Sequence, residues 1–153
     1  MRFKNLSAAV LAVSAALAGV SASADTLKFG KTEDAIKYRQ NALFVMSQHF
    51  GTLGAMANGR AEFNADLAKQ NGAVLETLAA LPWQAFGAGT EGGKTKPEAW
   101  AEKAKFDDHA NQFVAEAGKL AAAAKTGDLA QLKATFGPAA QTCKACHDAF
   151  RNR

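Results

Sequence analysis

The chain has 153 residues and a formal charge of +4, from 18 Lys and Arg against 14 Asp and Glu, and 48% of it is apolar. That length allows one domain, and lysines scattered without a basic run or interleaved aromatics exclude a nucleic-acid-binding signature. Abundant alanine and few β-branched residues exclude a sheet-dominated fold and point to helices.

Residues 1–24 read as a signal peptide that is cleaved. Arg2 and Lys4 supply its basic start, Leu6 to Val20 a small apolar run, and Ala22-Ser23-Ala24 the small-residue cleavage site. The mature domain is then 25–153, exported to the periplasm, with a charge near +2 once Arg2 and Lys4 are gone. The apolar run is too short for a membrane span and no other segment approaches the length needed. No membrane anchor is expected after cleavage.

The first helix follows Thr32, read as its N-cap, with Glu33 and Asp34 at the positive end of the first turn. Ile36, Leu43, Met46, Phe50, Leu53 and Ala57 form a heptad a/d series with one gap, at Arg39. Arg39 and its neighbour Gln40 are either snorkelling at a bundle end or serving carboxylates, which suit a guanidinium fork. Asn58-Gly59 closes the helix. A second helix spans about Asn64 to Leu81, with Leu67, Val74, Leu78 and Leu81 as its inward series and Leu75 widening the stripe. Pro82 stops it.

Trp83 to Lys96 is a crossover loop holding Gly87, Gly89, Gly92 and Gly93, long for a helix connection. Trp83 and Phe86 at its start plug a bundle end or pack against a cofactor edge. The third helix begins near Thr95-Lys96-Pro97-Glu98, where Thr95 and Glu98 have capping-box spacing and Pro97 suits a first turn. Phe106, Ala110, Phe113, Ala117, Leu120 and Ala124 recur at alternating fours and threes, so this face is buried. After a short turn Asp128 caps the fourth helix. Leu129, Leu132, Phe136, Ala140, Cys143, His147 and Phe150 continue one face of it. Gly137-Pro138 predicts a kink or break there, because proline removes an intrahelical hydrogen bond. Short turns and one longer crossover make this an all-α, antiparallel four-helix bundle.

The fourth helix carries Cys143-Lys144-Ala145-Cys146-His147, the c-type haem attachment pattern. Each thiol adds to one haem vinyl group, and the next residue supplies an imidazole to the iron. At i, i+3 and i+4 the three side chains share a helix face. A zinc site would want a second ligand pair, which a chain with two cysteines does not have. A redox dithiol would want a βαβ context, and an exported chain also permits a Cys143–Cys146 disulfide. The histidine directly after the second cysteine favours one covalent haem c near the C-terminus, with His147 as axial ligand.

Glu33-Asp34-Ala35-Ile36-Lys37-Tyr38-Arg39-Gln40, Leu81-Pro82-Trp83, Gly89-Thr90-Glu91-Gly92-Gly93 and Cys143-Lys144-Ala145-Cys146-His147 together resemble the cytochrome c′ family of class II c-type cytochromes. The likeness spans essentially the whole mature chain. It implies a five-coordinate iron, with His147 on one side and no protein ligand on the other. It also implies Leu43 as the apolar roof of the open, distal side, Arg39 and Gln40 near the propionates, and Arg151 beside His147 on the proximal side. Pairing as a homodimer through the first two helices is implied as well.

A branched apolar side chain above iron neither ligates nor donates a hydrogen bond. O₂ draws on a polar donor, whereas NO and CO need none, so the expected ligands are NO and CO, with redox cycling against an unidentified redox partner. The alternative is a six-coordinate His/Met electron carrier using Met46, one turn from Leu43; Met56 lies further along. An enzyme such as a peroxidase would need a distal acid–base residue. The spare histidines, His49 and His109, read as exposed surface residues, so no catalytic role is expected.

Overall fold

The computed structural model describes residues 27–152; the leader and its cleavage site lie outside them. Helix α1 runs Thr32–Ala57. Thr32 is its first residue and not its cap: the N-cap is Lys31, which makes no side-chain bond there. The Thr32 hydroxyl instead donates to the Gly89 carbonyl at 2.8 Å, tying the helix start to the crossover. Asn58 and Gly59 end α1 as expected, Gly59 at φ +68°.

Helix α2 spans Ala65–Ala79, and the Asn64 carboxamide caps it by accepting from Leu67 N at 2.9 Å. Its buried face matches the one read from its larger apolar residues only in part: Leu75 is fully buried and Leu78 packs against the core. Leu67 and Val74 are exposed, while Ala68, Asn71, Gly72, Leu75 and Ala79 turn inward. Small side chains won because the neighbouring helix sits so close that a Cβ on Gly72 would lie 2.8 Å from the Ala124 methyl. Asn71 is carried inside on two hydrogen bonds, donating to Leu67 O and accepting from His49 Nδ1, each at 2.8 Å.

Pro82 opens a 3-10 turn, Pro82–Ala85, and the crossover continues to a one-turn helix α3, Glu98–Ala101. The Thr95–Glu98 capping box does not form; the N-cap is Pro97, without a side-chain bond. Thr95 pairs with Arg151 in an isolated antiparallel bridge instead. Glu102, at φ −107° and ψ 46°, separates α3 from α4, Lys103–Thr126. All six apolar positions read for this helix from Phe106 onward are buried. Gly127 at φ +71° turns the chain, and Asp128 caps α5, Leu129–Phe150, through Ala130 N and Gln131 N. Helix α5 runs unbroken through Pro138, so of the expected kink or break the break does not occur. Ala134, whose carbonyl loses its amide partner, is exposed, and water can serve that oxygen.

Helices α1, α2, α4 and α5 form a ring in which α1 contacts α2 and α5, and α4 contacts α2 and α5. This is an antiparallel four-helix bundle. Leu53, Leu75, Leu120 and Leu132 lie fully inside it. A second cluster of Phe86, Ala99, Phe106 and Phe150 packs with Trp83, Trp100 and Cys146. Residues of both clusters line a cavity. No helix among the described residues is long and apolar enough to cross a membrane.

Candidate cofactor site

The cavity has a volume of about 510 Å³, within the range of small-molecule and cofactor sites. Helix α5 presents Cys143, Cys146 and His147 to it, as their spacing requires, and Arg151 follows one turn later. Helix α1 supplies Arg39, Gln40, Leu43, Phe44 and Met46. Trp83 and Phe86 from the crossover and Phe106 and Phe113 from α4 complete an aromatic wall. Phe86 and Phe106 lie 4.7 Å apart between ring centroids, and Trp83 stands 6.1 Å from both Phe106 and Phe113. Of the two roles open to Trp83 and Phe86, both line the cavity.

Cys143 and Cys146 are free thiols. Burial raises the Cys143 thiol and pushes Cys146 up to about 11, with the neighbouring Cys143 adding to the latter. Redox and thiolate-metal centres lower a cysteine pKa, so the environment is the reverse of a reactive dithiol. No group of three or more potential metal-binding side chains occurs among the described residues. Burial, then the charge of Arg151, lowers the His147 pKa against the opposing pull of Asp148. Both leading causes favour the neutral imidazole that a metal takes.

Arg39 is neither snorkelling nor exposed: it retains 2% of its accessible surface. Nη1 donates to Ala85 O and Thr90 O at 2.7 Å, and Nη2 to Gly92 O at 2.8 Å. Its guanidinium also lies 4.7 Å from the Phe86 ring centroid and 5.3 Å from that of Trp100. Burial lowers its pKa while Glu91 raises it, and guanidinium remains charged in proteins. Gln40 is exposed at the cavity rim, and Leu43 is half-buried beside the core. Met46, 7% exposed, packs in the core and also reaches the cavity wall. Met56 does not line it; its sulfur accepts from Asn64 N at 3.5 Å.

Both spare histidines depart from the surface positions expected. His49 is half-buried on Asn71, joining α1 to α2. His109 lines the cavity, its ring 5.6 Å from Phe150, and its Nδ1 is buried without a protein partner. Its place between Phe106 and Phe113, at i+3 and i−4, was the available signal. Lys94, Thr95 and Phe44 also line the cavity, and nothing local in the sequence marks them.

A large apolar cavity edged by cations, containing two neutral thiols, an imidazole and an orphaned buried ring nitrogen, fits a flat macrocycle bearing carboxylates. Cys143 and Cys146 would bind haem covalently, and His147 would meet its iron.

A family model described as Cytochrome C′ matches residues 34–151. The chain is similar to cytochrome c′ of Alcaligenes xylosoxydans xylosoxydans, 49% identical over 126 residues, covering 82% of this chain and 99% of that protein. It is also similar to cytochrome c′ of Rubrivivax gelatinosus, 46% identical over 129 residues, covering 82% of this chain and all of that one. Among solved structures, the nitric oxide complex of a leucine-to-alanine variant of cytochrome c prime from Alcaligenes xylosoxidans superimposes with a TM-score of 0.79. It is 48% identical and covers 82% of this chain and 99% of that one.

Proposed function

The chain belongs to the cytochrome c′ family and carries covalently attached haem c, and from that premise we propose that it binds NO and CO at a five-coordinate iron in the periplasm and undergoes redox cycling. Haem, when bound, supplies an iron that takes up diatomic gases and changes oxidation state. The observation that carries the reading is Leu43, half-buried on the α1 wall of the cavity among Arg39, Gln40, Phe44, Met46, Ser47 and Phe50. A half-buried leucine obstructs a small ligand by its bulk and offers it no hydrogen bond. The nitric oxide complex solved for a similar protein supports the ligand class.

In this reading His147 is the axial ligand, held neutral by burial and by Arg151. Arg39 has an Nη2 hydrogen and Nε–H beyond its three loop bonds, and these, with Gln40 at the cavity rim, would serve the propionates. Residues 1–24 act as the cleaved leader, in keeping with haem attachment outside the cytoplasm. Val45, Leu67 and Val74, 37–42% exposed on α1 and α2, favour a homodimer through these helices.

Met46 at the cavity wall keeps the six-coordinate His/Met carrier as the alternative. Visible spectra of ferric and ferrous holoprotein, with and without CO, separate the two. A high-spin spectrum that changes sharply on adding CO is expected. A low-spin ferrous spectrum indifferent to CO would overturn the gas-binding reading in favour of Met46.

A further inference from the structure

The last four carbonyls of an α-helix have no partner within it. In α5 they belong to His147, Asp148, Ala149 and Phe150, the turn that begins at the haem-binding histidine. His147 O accepts from Arg151 N at 3.0 Å. The other three are all served by one residue from the crossover. The Lys96 ammonium donates to Asp148 O and Ala149 O at 3.1 Å each, and the Lys96 amide donates to Phe150 O at 2.9 Å. Asn152 N on Lys94 O at 2.8 Å and the Thr95–Arg151 bridge extend the same seam.

We propose that Lys96 is a positioning residue for His147: by closing the final turn of α5 it fixes the direction in which the imidazole is presented. This rests on His147 being the axial ligand. A helix end without such partners frays within its last turn, and here that turn is the one bearing the iron ligand. A cation among the terminal carbonyls also complements the negative end of the helix dipole. The anchor is itself restrained, because Arg39 holds Ala85, Thr90 and Gly92 of the same crossover. Lys96 therefore connects α5 to a segment already strapped to α1. Ligand geometry tolerates only small angular error before its bond to the iron changes.

The test is the iron–histidine stretching band in the resonance Raman spectrum of ferrous holoprotein. Lys96→Met is expected to shift and broaden the band, and Lys96→Arg, which keeps the charge and the donors, to return it towards the wild-type position. Asp128→Ala removes the cap at the far end of α5 and controls for stability alone; it should leave the band in place. A band in folded Lys96→Met holoprotein identical to wild type would overturn the proposal. If Lys96→Met does not retain haem, Lys96→Gln, with a shorter neutral donor, is read by the same criterion. A band that survives in His147→Gly would instead refute the axial assignment, a failure distinct from an unmoved band in the Lys96 variants.

Discussion

Replacing Arg39 by methionine tests whether a buried guanidinium holds the crossover to α1. The side chain makes three hydrogen bonds of 2.7–2.8 Å to main-chain carbonyls, and bonds from a charged donor contribute ~1.5–3 kcal/mol each when removed singly. They do not add fully. Ala85 O keeps a second donor, the Thr90 hydroxyl at 3.2 Å, and methionine avoids the desolvation that lowers the Arg39 pKa. Stacking on Phe86 and Trp100 contributes about 1–2 kcal/mol more, part of which the thioether retains. The net loss should be about 3–5 kcal/mol, as for breaking other buried charged contacts. For a domain of this size that lowers Tm by roughly 10–20 °C, measured on holoprotein by circular dichroism. Amide exchange should accelerate across residues 85–92, where the three acceptors lie. Arg39→Lys, a single point charge, should recover less than half of the loss because it cannot fork to separated carbonyls. A Tm within about 3 °C of wild type for Arg39→Met would refute the reasoning and mean that water solvates these carbonyls equally well.

Leu43→Ala removes the half-buried side chain that narrows the α1 wall, where displacement costs about 1–1.5 kcal/mol of apolar burial. CO association, followed by flash photolysis, should quicken roughly tenfold; an unchanged rate would count against a steric filter. Gly72→Ala gains about 1 kcal/mol of helix propensity yet places a methyl 2.8 Å from that of Ala124. Separation of α2 from α4 should dominate, with a net loss of about 1–2 kcal/mol in urea unfolding. A stabilised variant would show that the α2–α4 contact yields.

Much of the bundle is written locally. The six positions of α4 that recur from Phe106 to Ala124 are apolar and buried, so periodicity alone orients the helix. Asp128 caps α5 through amides two and three residues away, a bond any local reading finds. Helix α2 is different: Leu67 and Val74 carry more hydrophobicity than Ala68 and Gly72, and the larger residues were the natural inward choice. They stay outside because α4 brings Ala121 and Ala124 too near, a distance that belongs to the pair of helices. Pro138 likewise marks a kink or break, and α5 continues through it at a turn where Ala134 is exposed to water.

The sequence by itself determined the chemistry of the centre. Cys143, Cys146 and His147 lie within five residues, and helical geometry alone turns them to one side. Only the tertiary structure decided what holds and surrounds them. Arg39 reaches carbonyls 46 to 53 residues away, and Lys96 closes a turn more than 50 residues on. His109 leaves the surface for the cavity because α4 packs that face against Phe150. Main-chain acceptors carry no residue identity, so a donor that serves them across the fold leaves no pattern in the chain to be read.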